Sequence, residues 1–194
     1  MNEQTPMNQK DLLFVDVETS GLDPSVHEIL ELAAVRTTHD LRREVGVVHL
    51  KTRMTRPAAA APEALSVNGY DERAWADAVP IRLALLEFSK LLGADYEIVW
   101  VGHNPHFDKG FIDAAARAES IVLPRTKYLV DTMSIAWPLC VRGMLERVNL
   151  ESLCSRYNIS NAGAHGALPD VRRTMAVYRK LLGLRPTQEA SATP

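Results

Sequence analysis

Asp16 and Glu18 stand two residues apart in the otherwise apolar run FVDVETSGL. Side chains alternate along a strand, so the two carboxylates share one face. Side by side they repel, and a buried charge persists only when something pairs with it. No basic residue lies nearby in the sequence to do so. A hard divalent cation would, and Mg²⁺ prefers carboxylate oxygens and retained waters. Two such ions, about 3.5–4 Å apart, are a standard arrangement for phosphodiester cleavage, and several elements must then supply carboxylates. Asp108, closing GHNPHFD, and Asp170, closing HGALPD, are candidates for the other half of the cage. His165, five residues before Asp170, is the side chain whose ordinary pKa suits a base near neutral pH. Taken singly, each fragment has a plainer reading. An Asp at a helix start is usually an N-cap, and a lone His usually sits on the surface or satisfied in the core. The second acid beside Asp16 resists that treatment.

The elements that must carry these residues follow from periodicity. Residues 11–18 read as a strand, with ILELAAVRTT and GVVHLKTRM as two more. Short connections make these three antiparallel neighbours. A loop rich in Ala and Pro, residues 57–62, interrupts the pattern. Leu85, Phe88 and Leu92 then mark one apolar helical face. EIVWVGH reads as a buried strand, FDKGFIDAAARAES as a helix and TKYLVDT as a further strand. Leu150, Leu153, Cys154 and Tyr157 mark a short helix. Val171, Met175, Tyr178 and Leu182 mark the last, opened by Pro169 and Asp170. Three strands followed by alternating helix and strand predict an α/β domain with a mixed five-stranded sheet flanked by helices.

A chain of 194 residues suits one domain with a sizeable core. That domain is expected over residues 11–183, between a flexible N-terminus (1–10) and a flexible C-terminal tail (184–194). No apolar run is long enough to span a bilayer, and the N-terminus lacks a secretory apolar segment, so a cytoplasmic protein with no membrane partner is expected. Cys140 and Cys154 lack metal-type spacing and read as reduced and structural. A net charge of −2 gives no basic footprint of a non-specific nucleic-acid binder. Bound metal ions can still bring an acidic site to phosphate.

Three motifs occur in order: D-x-E-T-x-G-L (Asp16, Glu18, Thr19, Gly21, Leu22), N-x-x-F-D (Asn104, Phe107, Asp108) and H-x-x-x-x-D (His165, Asp170). Together they resemble the DEDDh exonucleases, a family of ribonuclease H-like fold that removes nucleotides from 3′ ends. HEILELAAV, VDTMSIA and LESLCSRYNI are also similar to family segments. The likeness is to the branch containing the proofreading subunits of bacterial replicative polymerases and their free-standing relatives. The oligoribonuclease branch usually has Met where this chain has Thr19.

The resemblance implies two divalent metal ions, Mg²⁺ or Mn²⁺. Asp16, Glu18 and Asp170 would hold the first, with Asp16 bridging to a second held by Asp108, and His165 would be the general base. It implies 3′–5′ hydrolysis of single-stranded DNA to nucleoside 5′-monophosphates, in proofreading or repair, with a DNA polymerase as a further partner. Thr19, Gly21 and Leu22 would line the terminal nucleotide, and Asn104 belongs to the second motif. Phe107 reads either as a ring that stacks on a base or as a core aromatic. PEALSVNGYD resembles the segment supplying a Glu and a His to that nucleotide; Glu63 matches, and Asn68 replaces the His. The rivals are an RNA-trimming enzyme of the ribonuclease T type, which differs in how it treats the 2′-OH, and a silent nucleic-acid or polymerase-binding module. The oligomeric state is not legible. His103 and His106 flank the second motif; His27, His39 and His49 read as solvated. Arg125, Lys127, Arg142, Arg172 and Arg173 read as a solvated face or as charges steering a strand.

Overall fold

The computed structural model describes residues 6–93 and 98–184. Of the ends expected to be flexible, residues 1–5 and 185–194 lie outside this set, as does Glu97 of the expected strand 97–103. Five strands, β1 (Asp11–Thr19), β2 (Ile29–Thr37), β3 (Glu44–Lys51), β4 (Ile98–Gly102) and β5 (Tyr128–Asp131), form one sheet in the order β3-β2-β1-β4-β5. The helices are α1 (Pro62–Val67), α2 (Ile81–Leu92), α3 (Pro105–Ala118), α4 (Thr132–Val141), α5 (Leu150–Arg156) and α6 (Ala167–Leu181). The first three strands run antiparallel through short turns, while β1–β4 and β4–β5 are parallel across helical crossovers. The expected mixed five-stranded sheet is observed.

β1 is central and apolar on both faces. Leu13, Val15 and Val17 pack with Leu85, Phe88 and Leu92 of α2 and with Phe111 and Ile112 of α3. Leu12 and Phe14 face the other way, against Val171, Met175 and Tyr178 of α6. Phe14 is fully buried, and its ring meets Tyr178 edge-on at 5.6 Å. Asp16 and Glu18 continue this second stripe, so they point toward the start of α6. β4 pairs with β1 only as far as Phe14, which leaves the following stretch of β1 with a free edge toward α3. Those two facts place the acids.

Several boundaries differ from the sequence reading. β3 ends at Lys51 because Thr52 bridges to Val79 instead, with the Arg53 N–H donating to the Val79 carbonyl at 2.9 Å. The short helix α1 closes the Ala/Pro loop, and α6 starts at Ala167. There the Asp170 N–H closes the first helical bond on the Gly166 carbonyl, at 3.0 Å. Pro169 is accommodated within that first turn, where backbone N–H groups have no helical partner. Among the described residues, no helix is long and apolar enough to cross a membrane.

Candidate active site

Asp16, Glu18 and Asp170 converge where β1 meets the first turn of α6, with ligand oxygens within 4.8 Å of one another. Asp16 and Glu18 are half-buried, and the Asp170 side chain is 13 % exposed. Asp108 approaches from α3 and is buried. It does not cap its helix; Asn104 holds that position in a left-handed conformation (φ 67°). Instead Asp108 Oδ1 accepts the Val17 N–H at 2.9 Å, on the free edge of β1. That bond fixes one carboxylate oxygen and leaves the other for a ligand.

The acids repel one another. Burial first, then Asp108, Glu18 and Asp170, push the Asp16 carboxyl well above the usual range, with Arg173 opposing. Burial, Asp170 and Glu31 raise Glu18 to about 7. Burial raises Asp108 to about 7 against the stabilising hydrogen bond from Val17. The donor set is all hard oxygen, clustered and short of positive charge, which fits a divalent cation such as Mg²⁺ or Mn²⁺.

One cation does reach the cluster. Arg173, 6 % exposed, donates from Nη2 to Asp170 Oδ1 and from Nη1 to Asn161 Oδ1 at 3.0 Å. It is not on a solvated face, because it lies three residues after Asp170 on the buried side of α6. Its neighbour Arg172 does lie on the surface, paired with Glu44. His165 stands exposed on the α5–α6 segment with φ 66°. It lines a cavity of about 240 Å³ with Asn161, Asp170, Arg173 and the start of α5.

The loop after β1 is tightly held. The Ser20 N–H donates to the Glu28 carbonyl at 2.8 Å, and the Ala61 N–H to the Ser20 carbonyl at 2.8 Å. Thr19 Oγ1 donates to the Gly21 carbonyl at 2.6 Å. A Cβ at Gly21 would lie 2.1 Å from the His27 ring, so any side chain there would have to displace that ring. His27 thus backs the loop, contrary to its reading as solvated. Leu22 is 81 % exposed at the tip. Phe107 is half-buried at the core margin, 4.9 Å from the Phe111 ring. Glu63 is exposed in the first turn of α1. Asn68 is buried, donating from Nδ2 to the Thr19 carbonyl at 3.0 Å and accepting the Tyr70 N–H at 3.1 Å. It therefore ties α1 beneath the loop. A larger cavity, about 420 Å³, lies beyond, between residues 24–29 and the far half of α3, and neither the four motif acids nor His165 line it.

A family model described as Exonuclease matches residues 13–178. The chain belongs to this exonuclease family. The PolC-type DNA polymerase III of Staphylococcus epidermidis is 26 % identical over 181 residues, which are 92 % of this chain and 12 % of that protein. The Staphylococcus aureus counterpart is 26 % identical over 176 residues, again with 12 % of the relative covered. The chain thus spans about an eighth of the length of these relatives. Among solved structures, Escherichia coli exonuclease I superposes with a TM-score of 0.75 at 21 % identity, covering 89 % of this chain and 41 % of that one. The cell-death related nuclease CRN-4 superposes at 0.73 with 14 % identity, covering 91 % and 64 %. These likenesses support the ribonuclease H-like fold expected from the three motifs.

Two polar residues, Glu31 and Arg173, have roles that escaped the sequence reading. Glu31, buried, lies directly across from Glu18 in the β1–β2 register and is bonded by His49 Nε2, so His49 is not simply solvated. His103 is half-buried, with Nδ1 at 2.8 Å from Thr132 Oγ1, and burial takes its pKa down to about 4. It is neutral at physiological pH and holds the strand end. His106 and His39 are exposed.

Proposed function

We propose that the chain is a 3′–5′ exonuclease that hydrolyses the terminal phosphodiester of single-stranded DNA and releases nucleoside 5′-monophosphates, in proofreading or repair. The observation that carries this reading is the meeting of Asp16, Glu18 and Asp170 within 4.8 Å, which brings the first and third sequence motifs together. Exonuclease I structures have been described with dT13 and dA16 oligonucleotides, and the staphylococcal relatives are DNA polymerases, which favours DNA. A polymerase partner and a cytoplasmic setting belong to the same proposal.

Asp16, Glu18 and Asp170 would hold one divalent ion and Asp108 a second; bound there, such ions make water nucleophilic at neutral pH and stabilise charge on the attacking and departing oxygens. His165 takes the proton from the attacking water on an imidazole nitrogen, and its exposed position beside the cavity lets solvent carry that proton away. The closed loop from Thr19 to Leu22 receives the 3′ nucleoside, with the Leu22 side chain against the base. Phe107 flanks that base, and Asn68 acts from beneath by fixing the Thr19 carbonyl. Glu63 and Asn104, both exposed at helix starts, complete the rim.

The test offers matched single-stranded DNA, single-stranded RNA and a mismatched primer end, each 5′-labelled, with Mg²⁺ or Mn²⁺. Mononucleotide release from the 3′ end, faster on DNA, is expected. Faster RNA trimming would move the reading to the ribonuclease T type. No release from any substrate would overturn it.

A further inference from the structure

Arg173 is an expensive residue to place where it stands. A guanidinium this far from water costs several kcal/mol unless its N–H groups are satisfied. Two of them are, and the two acceptors belong to different parts of the site. Nη2 bonds Asp170, one of the three clustered carboxylates. Nη1 bonds Asn161 Oδ1 at 3.0 Å. Asn161 opens a turn in which the Ala164 N–H donates back to the Asn161 carbonyl at 3.1 Å, and His165 follows immediately. Gly166 then returns to α6 through its bond from the Asp170 N–H, at 3.0 Å. The chain of contacts is closed: Asp170, Arg173, Asn161, the turn, His165, Gly166 and Asp170 again. Among the described residues, the Arg173–Asn161 bond is the one side-chain hydrogen bond from segment 160–166 to another element. Without it His165 sits exposed on a segment with left-handed residues at Asn158, Gly163 and His165.

We propose that Arg173 is a positioning residue that holds the acid cluster and the base in fixed relation, fixing Asp170 with one N–H group and, through Asn161, the turn that presents His165. The inference rests on the exonuclease reading given above. A planar guanidinium can serve two acceptors in fixed directions, whereas a lysine ammonium is a single point of charge. Asn161 acts only as an acceptor, so an Asp there keeps the bond and an Ala loses it.

The experiment measures 3′ mononucleotide release from a single-stranded DNA oligonucleotide with Mg²⁺ for Asn161→Ala, Asn161→Asp, Arg173→Lys and each combined with His165→Ala. Amide exchange of residues 160–166 in the metal-free proteins is the second readout. Asn161→Ala is expected to lower kcat about 10- to 100-fold, the scale of a misplacement near 1 Å, with KM within about twofold. Asn161→Asp keeps the wild-type rate. Arg173→Lys loses at least as much as Asn161→Ala, since the Asp170 contact is disturbed as well, and the two together lose no more than Arg173→Lys alone. His165→Ala costs far less in the Asn161→Ala background than in the wild type. Exchange over 160–166 rises in Asn161→Ala and Arg173→Lys and is unchanged in Asn161→Asp. Additive losses with His165→Ala, or an Asn161→Asp protein as slow as Asn161→Ala, would overturn the inference while leaving the exonuclease reading intact. A wild type that releases no nucleotide overturns both.

Discussion

Removing one charge from the acid cluster should stabilise the metal-free protein, and only at the pH where that charge exists. The perturbation is Glu18→Gln, which keeps shape and deletes the carboxylate. Glu18 is raised from 4.5 to about 7 by burial, Asp170 and Glu31. Its folded pKa lies above its unfolded one, so the folded state binds more protons in between. Stability is therefore fully present below about pH 4.5 and is lost as pH rises through about 7. At about 1.4 kcal/mol per pH unit, the full interval corresponds to roughly 3 kcal/mol. Glu18 is half-buried, and solvent screening brings the expected value to about 1–2 kcal/mol. For a domain of this size that is about 2–8 °C in Tm. The assay is denaturant unfolding of wild type and Glu18→Gln in excess EDTA, near pH 4.5 and near pH 8. The variant should match wild type at the lower pH and exceed it at the higher one. Equal stability near pH 8, or a variant weaker there, would refute the claim that the carboxylates strain the empty cluster.

Other expectations follow from the same geometry. Saturating Mg²⁺ or Mn²⁺ should reverse that pH-dependent loss in the wild type, by about 2.7 kcal/mol at a hundredfold excess over Kd, and do less for Glu18→Gln; melting with and without metal checks it. Asp170→Ala should abolish nucleotide release yet leave the circular dichroism spectrum folded, and a residual rate near wild type would remove Asp170 from the cage. His165→Ala should lose about 10²–10⁴-fold in rate while binding metal and oligonucleotide normally, which equilibrium titration can establish. Phe14→Ala, which empties the fully buried contact with Tyr178, should cost about 3–5 kcal/mol in a denaturant titration.

The parts of this protein that were legible in the sequence are those governed by local period. Asp16 and Glu18 announce a shared strand face because the repeat is two, and the stripe Leu85, Phe88 and Leu92 announces α2 because its spacing is helical. What escaped depends on register and on which helix face is covered. Glu31 is an ordinary acid until β2 is aligned so that it lies across from Glu18. Arg173 is one of several arginines until α6 is seen to bury the side carrying Val177 and Asp170. Its spacing, three after Asp170 and four before Val177, was the available signal. The helix α1 has six residues and no side-chain N-cap, so neither length nor capping marks it. Asn68 stands where the family has a His, and its amide is engaged by Thr19 and Tyr70, a contact that only tertiary folding creates.

The central claim is that the four carboxylates form a cage for divalent ions, and counting Mn²⁺ bound per chain by electron paramagnetic resonance tests it most directly. Two ions are expected for the wild type, with loss of both in Asp16→Asn. No binding by the wild type, or undiminished binding by Asp16→Asn, would contradict it.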